Sequence, residues 1–89
     1  MRGIITVLGR DRVGIMARVC TFLADARINI LDINQTIVQG FFNMVMIVDL
    51  GDITLTFEGT AAGLDSIGQE IGLQIKLQRE EIFDSMHRI

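Results

Sequence analysis

The stretch GRDRVGIMARV, residues 9 to 19, places two glycines and alternating charges between an apolar run, GIITVL, and the start of an amphipathic pattern. A strand that turns into a helix leaves backbone N–H groups without partners at the helix N-terminus, where the helix dipole favours a negative group. Gly14 removes the side chain that would obstruct those groups, so the loop is suited to a carboxylate or a phosphate. Asp11 adds a negative charge suited to a neighbouring ammonium or other cation. The two charges of a zwitterion such as an amino acid would each find a partner there. A purely architectural assignment is equally open, with Gly9 serving a positive φ, Gly14 serving close packing and Asp11 capping the helix.

Elsewhere the chemistry is sparse. Cys20 is the single cysteine and His87 the single histidine, so there is neither an intramolecular disulfide nor a cluster with metal-ligand spacing. No Ser/His/Asp or Cys/His arrangement is available, because His87 lies in the C-terminal tail, and catalysis is not expected. Cys20 reads as a small core residue. Asn29 suits the end of the first helix, in the left-handed region and bonded to local backbone. Gln35 shares the parity of Leu31, Ile33 and Ile37, where an unpaired amide would be costly, so a hydrogen bond across the sheet is expected of it.

A chain of 89 residues makes one domain with a thin core, burying roughly 60 to 65% of the surface its unfolded form exposes. Apolar residues make up 49% of it, yet no apolar run approaches the ~20 residues of a membrane span. The start, MRGIITV, lacks the charged segment, long apolar stretch and small-residue cleavage site of a secretory signal. A soluble, cytoplasmic protein is expected, with excess apolar surface that meets a partner. The net charge of -3 argues against a surface that neutralises phosphates, so nucleic acid is not expected as a direct partner.

The elements that must position the loop follow from periodicity. Residues 3 to 8 read as a central strand, because Ile4 and Leu8 fall on one face and Ile5 and Val7 on the other. From Gly14 to Arg27 the apolar residues Ile15, Val19, Phe22, Leu23 and Ala26 gather on one side of a helix. Residues 29 to 39 alternate as an edge strand with one wet face, and Gly40 makes a tight connection to a doubly apolar strand carrying Phe42, Met44, Met46 and Val48. A weak helix is predicted between Gly51 and Gly72, weakened by Gly59, Gly63 and Gly68, of which the Gly59, Gly63 pair suits close helix packing. LQIKLQR, residues 73 to 79, reads as the other edge strand. In the tail, residues 80 to 89, Ile82, Met86 and Ile89 recur on one face of a short helix, expected to dock through Ile82, Phe83 and Met86.

The order β-α-β-β-α-β predicts an α+β, ferredoxin-like sandwich: a four-stranded antiparallel sheet, first and third strands central, both helices on one face. The opposite face, with Val45 and Ile47, then needs the tail or another chain.

The string from ITVLGRDRVGIMARV through NILDINQTIVQGFFNMVMIVDL resembles the ACT domain, in which D-R-x-G-[IVL] opens the first helix and N-I begins the second strand. The resemblance covers nearly the whole chain and is strongest to stand-alone single-domain ACT proteins, related to the ACT modules of the glycine cleavage repressor. It implies a regulatory homodimer with small amino-acid sites at the subunit boundary and no cofactor. By position, Asp11 and the backbone of Arg12, Val13, Gly14 and Ile15 would hold the ligand from one subunit, and Asn29 from the other. Val13 stands where ACT domains often have proline, which adds one N–H to the loop and removes rigidity. Two alternatives remain: a ligand-free dimerisation or adaptor module, and an acylphosphatase-like hydrolase using Arg10, Arg12 and Arg18 around a phosphate that Asp11 would repel.

Overall fold

The computed structural model describes residues 2–10, 13–51, 53 and 55–80. Its elements are β1 (Arg2–Arg10), α1 (Ile15–Asp25), β2 (Asn29–Val38), β3 (Phe41–Asp49), α2 (Phe57–Ile71) and β4 (Leu73–Arg79). The strands form one antiparallel sheet in the order β2-β3-β1-β4, so the two doubly apolar strands are central, as their patterning requires. This is the ferredoxin-like architecture that the element order predicts.

The inner face of the sheet carries Ile5 and Val7 of β1, Met44 and Met46 of β3, and Ile75 and Leu77 of β4, all buried in one cluster with the helices. Each such side chain, fully buried, stabilises the fold by about 1.5–3 kcal/mol. Ile15, Val19 and Leu23, four residues apart, are the buried seam of α1.

Both helices end on specific bonds. Arg27, at φ 62°, takes the left-handed position after α1, and its N–H donates to the Ala24 carbonyl at 3.1 Å while that of Ile28 donates to Leu23 at 2.9 Å. This is a Schellman closure, fastened by the buried Leu23 and Ile28. Arg27, not Asn29, therefore ends the helix. At α2 the Thr56 hydroxyl accepts the Gly59 N–H at 2.9 Å, which starts the helix at Phe57, well after Gly51.

The glycines of α2 have separate reasons. A Cβ on Gly63 would sit 2.6 Å from the Phe22 ring, and one on Gly68 would sit 2.6 Å from the Leu73 carbonyl oxygen. The helix thus approaches α1 and β4 more closely than alanine allows. Gly59 faces no other helix and lies beside its own cap, Thr56.

β2 departs from its expected pattern. A bulge between Ile30 and Asp32 makes Leu31 the extra residue, so Ile30 faces Val48 and Ile33 faces Met46. Apart from the half-buried Ile30, every residue of β2 is exposed, so both its faces are wet rather than one. Its inner side lies outside the helix layer: α2 packs on β4, and α1 on α2. Gln35 is consequently exposed, which removes the penalty that would have demanded a cross-sheet hydrogen bond. Gln39 and Gly40, at φ 51° and 81°, form a two-residue turn of the I′ kind into β3. The tail helix expected over residues 80 to 89 lies outside the described residues, apart from Glu80.

Gly68→Ala gains about 1 kcal/mol of helix propensity but costs roughly 1–3 kcal/mol in overpacking against fixed backbone, so its urea midpoint should fall. Arg27→Gly relieves a left-handed side chain and should raise the midpoint, by about 1 kcal/mol.

Candidate functional site

The turn after β1 delivers Gly14 to the start of α1, at φ 90° and ψ 0°, as the cap residue of the helix. Among the described residues nothing lies within 4 Å of the position its Cβ would take. No described residue packs against Gly14, and the positive φ is what demands glycine. At Gly9 close packing does the excluding, since a Cβ there would strike the Leu73 side chain and lie 3.3 Å from the Leu73 Cα. Gly9 has the positive φ, 159°, expected of it and is closely packed as well, whereas Gly14 owes its place to φ and not to the close packing assigned to it on sequence.

The first ladder bond of α1 runs from the Arg18 N–H to the Gly14 carbonyl at 3.0 Å. The N–H groups of Ile15, Met16 and Ala17 precede that ladder, and with glycine as the cap residue no cap side chain accepts from them. No acidic residue occupies the first turn of α1. The Ile15 side chain is buried in the core, so its N–H is what it offers to the loop. Val13 is fully exposed. Asp11 and Arg12 lie outside the described residues.

Asn29 is exposed at the opposite end of the sheet. It stands across from Asp49, whereas Arg10, which leads into the loop, stands across from Phe41. The eight residue-to-residue steps of β3 from Phe41 to Asp49 span about 26 Å. One chain therefore brings Val13, Gly14 and Ile15 together and leaves Asn29 apart from them.

Two features of the surroundings escaped the sequence reading. The Arg10 guanidinium lies 5.5 Å from the Phe41 ring centroid, beside an open-face cleft of about 390 Å³ lined by Leu8, Phe41 and Gln74. The hairpin register that pairs Arg10 with Phe41 is the signal that would have found it. A larger cleft, about 510 Å³, lies at the far end of the sheet between Phe57, Glu58, Ala61, Leu77 and Arg79. There Arg79 stacks 4.9 Å from the Phe57 ring centroid, and its Nε is buried without a hydrogen-bond partner. Arg79 continues the parity of Leu73, Ile75 and Leu77, which was visible as a charge on an apolar face. The larger cleft offers volume but sets Glu58 beside its cation, while the Gly14 loop presents backbone donors at a helix whose first turn holds no acidic residue.

The arginines weigh against a phosphate-transfer site. Arg10 is stacked on Phe41 and Arg18 forms an exposed ion pair with Glu70 at 2.6 Å, so both are engaged elsewhere, while Arg12 lies outside the described residues. Among the described residues no three His, Cys, Asp or Glu side chains come together to hold a metal ion. No described helix is long and apolar enough to cross a membrane. An RNA-stacking sheet would need exposed aromatics on its central strands, and Phe42 is buried while Phe41 is engaged by Arg10.

The model of the ACT domain family matches residues 3–78. The chain belongs to the ACT domain family. It is 52% identical over 88 residues to a UPF0237 protein of Bifidobacterium longum, covering 99% of this chain and 98% of that one. Among solved structures, an ACT domain protein from Streptococcus pneumoniae is 35% identical with a TM-score of 0.81, covering 93% of both chains. A structure assigned to a glycine cleavage system transcriptional repressor shares the fold at 22% identity and a TM-score of 0.71, covering 86% of this chain and 44% of that one. The chain is thus a regulatory ACT module, and the resemblance drawn from DRVGI and NILDI holds.

Gly14→Ala should lose about 1–2 kcal/mol through backbone strain alone, and Gly14→Asn less, because asparagine tolerates the left-handed region. At Gly9 both substitutions should be costly, since there the obstacle is Leu73. Urea unfolding of the four variants tests this; recovery by Asn at position 9 as well as 14 would contradict it.

Proposed function

We propose that this ACT domain works as a non-catalytic cytoplasmic homodimer that binds a small amino acid, or a related zwitterion, at the subunit boundary. The observation that carries the reading is the state of β2. Leu31, Ile33, Ile37 and Val38 are 41% to 64% exposed and lie on both sides of a free sheet edge. The other edge, β4, carries Lys76 between Gln74 and Gln78, a charge of the kind that discourages strand addition. β2 carries no lysine or arginine, and its exposed apolar side chains favour burial against a second copy.

Antiparallel pairing of two β2 strands about a two-fold axis would account for the separation of the site residues. Asn29 of the partner subunit would then stand beside the Val38 end of this chain, the end of the sheet to which Gly14 belongs. The ligand carboxylate would accept from the N–H groups at the start of α1, and its ammonium would face Asp11.

Sedimentation velocity at micromolar concentration should show a dimer. Ile37→Glu should shift it to monomer while leaving the fold intact, because Ile37 is 53% exposed within one chain. Calorimetry against the twenty amino acids should find one or more that bind below millimolar, with Asp11→Asn weakening binding by about 1.5–3 kcal/mol as a charged hydrogen bond is lost. A dimer that binds none of them would leave the ligand-free adaptor reading in place.

A further inference from the structure

We infer that the cleft between the start of α2 and the end of β4 binds a small monocarboxylate with an apolar body, its carboxylate held beside the Arg79 guanidinium. Arg79 has the parity of Leu73, Ile75 and Leu77, so its side chain projects to the helix side of the sheet. There its guanidinium lies 4.9 Å from the Phe57 ring centroid, and its Nε is buried without a hydrogen-bond partner. With Nε closed to water the cation is only partly hydrated, and a buried donor without an acceptor costs stability. An anion in the cleft that Arg79 lines would supply what water does not.

The carboxylates nearby do not meet that need. Among the described residues Glu80, next in the chain, is paired with Arg2 at 3.3 Å, while Glu58 lines the same cleft, is exposed, and is not paired with Arg79. The walls set the rest of the ligand. Phe57, Ala61 and Leu77 give the cleft apolar sides, and its volume of about 510 Å³ falls within the range of small-molecule sites. Arg79 is the only cation among the described residues that line it, and Glu58 repels a second negative charge. One carboxylate on an apolar chain therefore fits better than a dicarboxylate or a phosphate. The cleft lies on the β4 side of the sheet, away from the β2 edge, so it depends on neither dimerisation nor a ligand at the subunit boundary.

The full-length protein tests it by proton–nitrogen correlation NMR during titration with isocaproate, a branched carboxylate without the ammonium that Asp11 would face. The Arg79 Nε–H signal and the amide signals of Ala61 and Leu77 should move and saturate, and those of Gly14 and Ile15 should stay in place. Isohexanol, which has the same body without the carboxylate, and succinate, which has a second one, should move none of them. Arg79→Gln should weaken isocaproate roughly ten-fold or more, as a charged hydrogen bond is lost. Ala61→Met, which keeps Arg79 and a good helix former while narrowing the cleft, should weaken it as well. Shifts centred on Gly14, isohexanol or succinate binding as tightly as isocaproate, full affinity in Ala61→Met, or no saturable shift at all would each overturn the inference.

Discussion

The unbroken pairing of β1 with β3, from Arg2 opposite Asp49 to Arg10 opposite Phe41, is the constraint on which the remaining geometry hangs. Because both strands are apolar on two sides, they can only be central, and that alone puts β2 and β4 at the edges. The same register brings Arg10 over Phe41 and sends the chain into the Gly14 turn at one end of the sheet. It also carries Asp49, and with it Asn29, to the other end. The separation of the candidate ligand residues is therefore a property of strand register, not of loop conformation.

Much of this was legible from residue order. Period-two patterns in Ile5, Val7, Met44, Met46, Ile75 and Leu77 mark the inner face, and the four-residue spacing of Ile15, Val19 and Leu23 marks the seam of α1, because burial acts on those side chains directly. What escaped was set by neighbours that alternation cannot report. The bulge at Leu31 depends on how β2 meets β3, and the exposure of both faces of β2 depends on where the helix layer stops. Of the candidate site, the helix start at Gly14 was readable from the loop. The distance to Asn29 was not, because it follows from pairing between segments far apart in sequence.

Glycine shows the same division. A scale of helix propensity counts Gly63 and Gly68 as weaknesses, yet Phe22 and the Leu73 carbonyl stand where their side chains would be. The loss in local preference is offset by packing that a larger residue would forbid. At Gly14 no described residue stands in that place and the backbone angle is the cause, so one residue type answers two unrelated demands within a single chain.

The pairing of β1 with β4 joins Gly3 to Arg79 and Gly9 to Leu73, contacts that close loops of most of the chain. During synthesis β1 emerges first and stays an open apolar edge until β4 leaves the ribosome, while the β2 and β3 hairpin can form as soon as its turn is made. The nascent chain must therefore carry an unfinished central strand for most of its translation. Such a strand is open to capture by chaperones or by another nascent copy, and the last stretch of sheet to be made is the one that seals it.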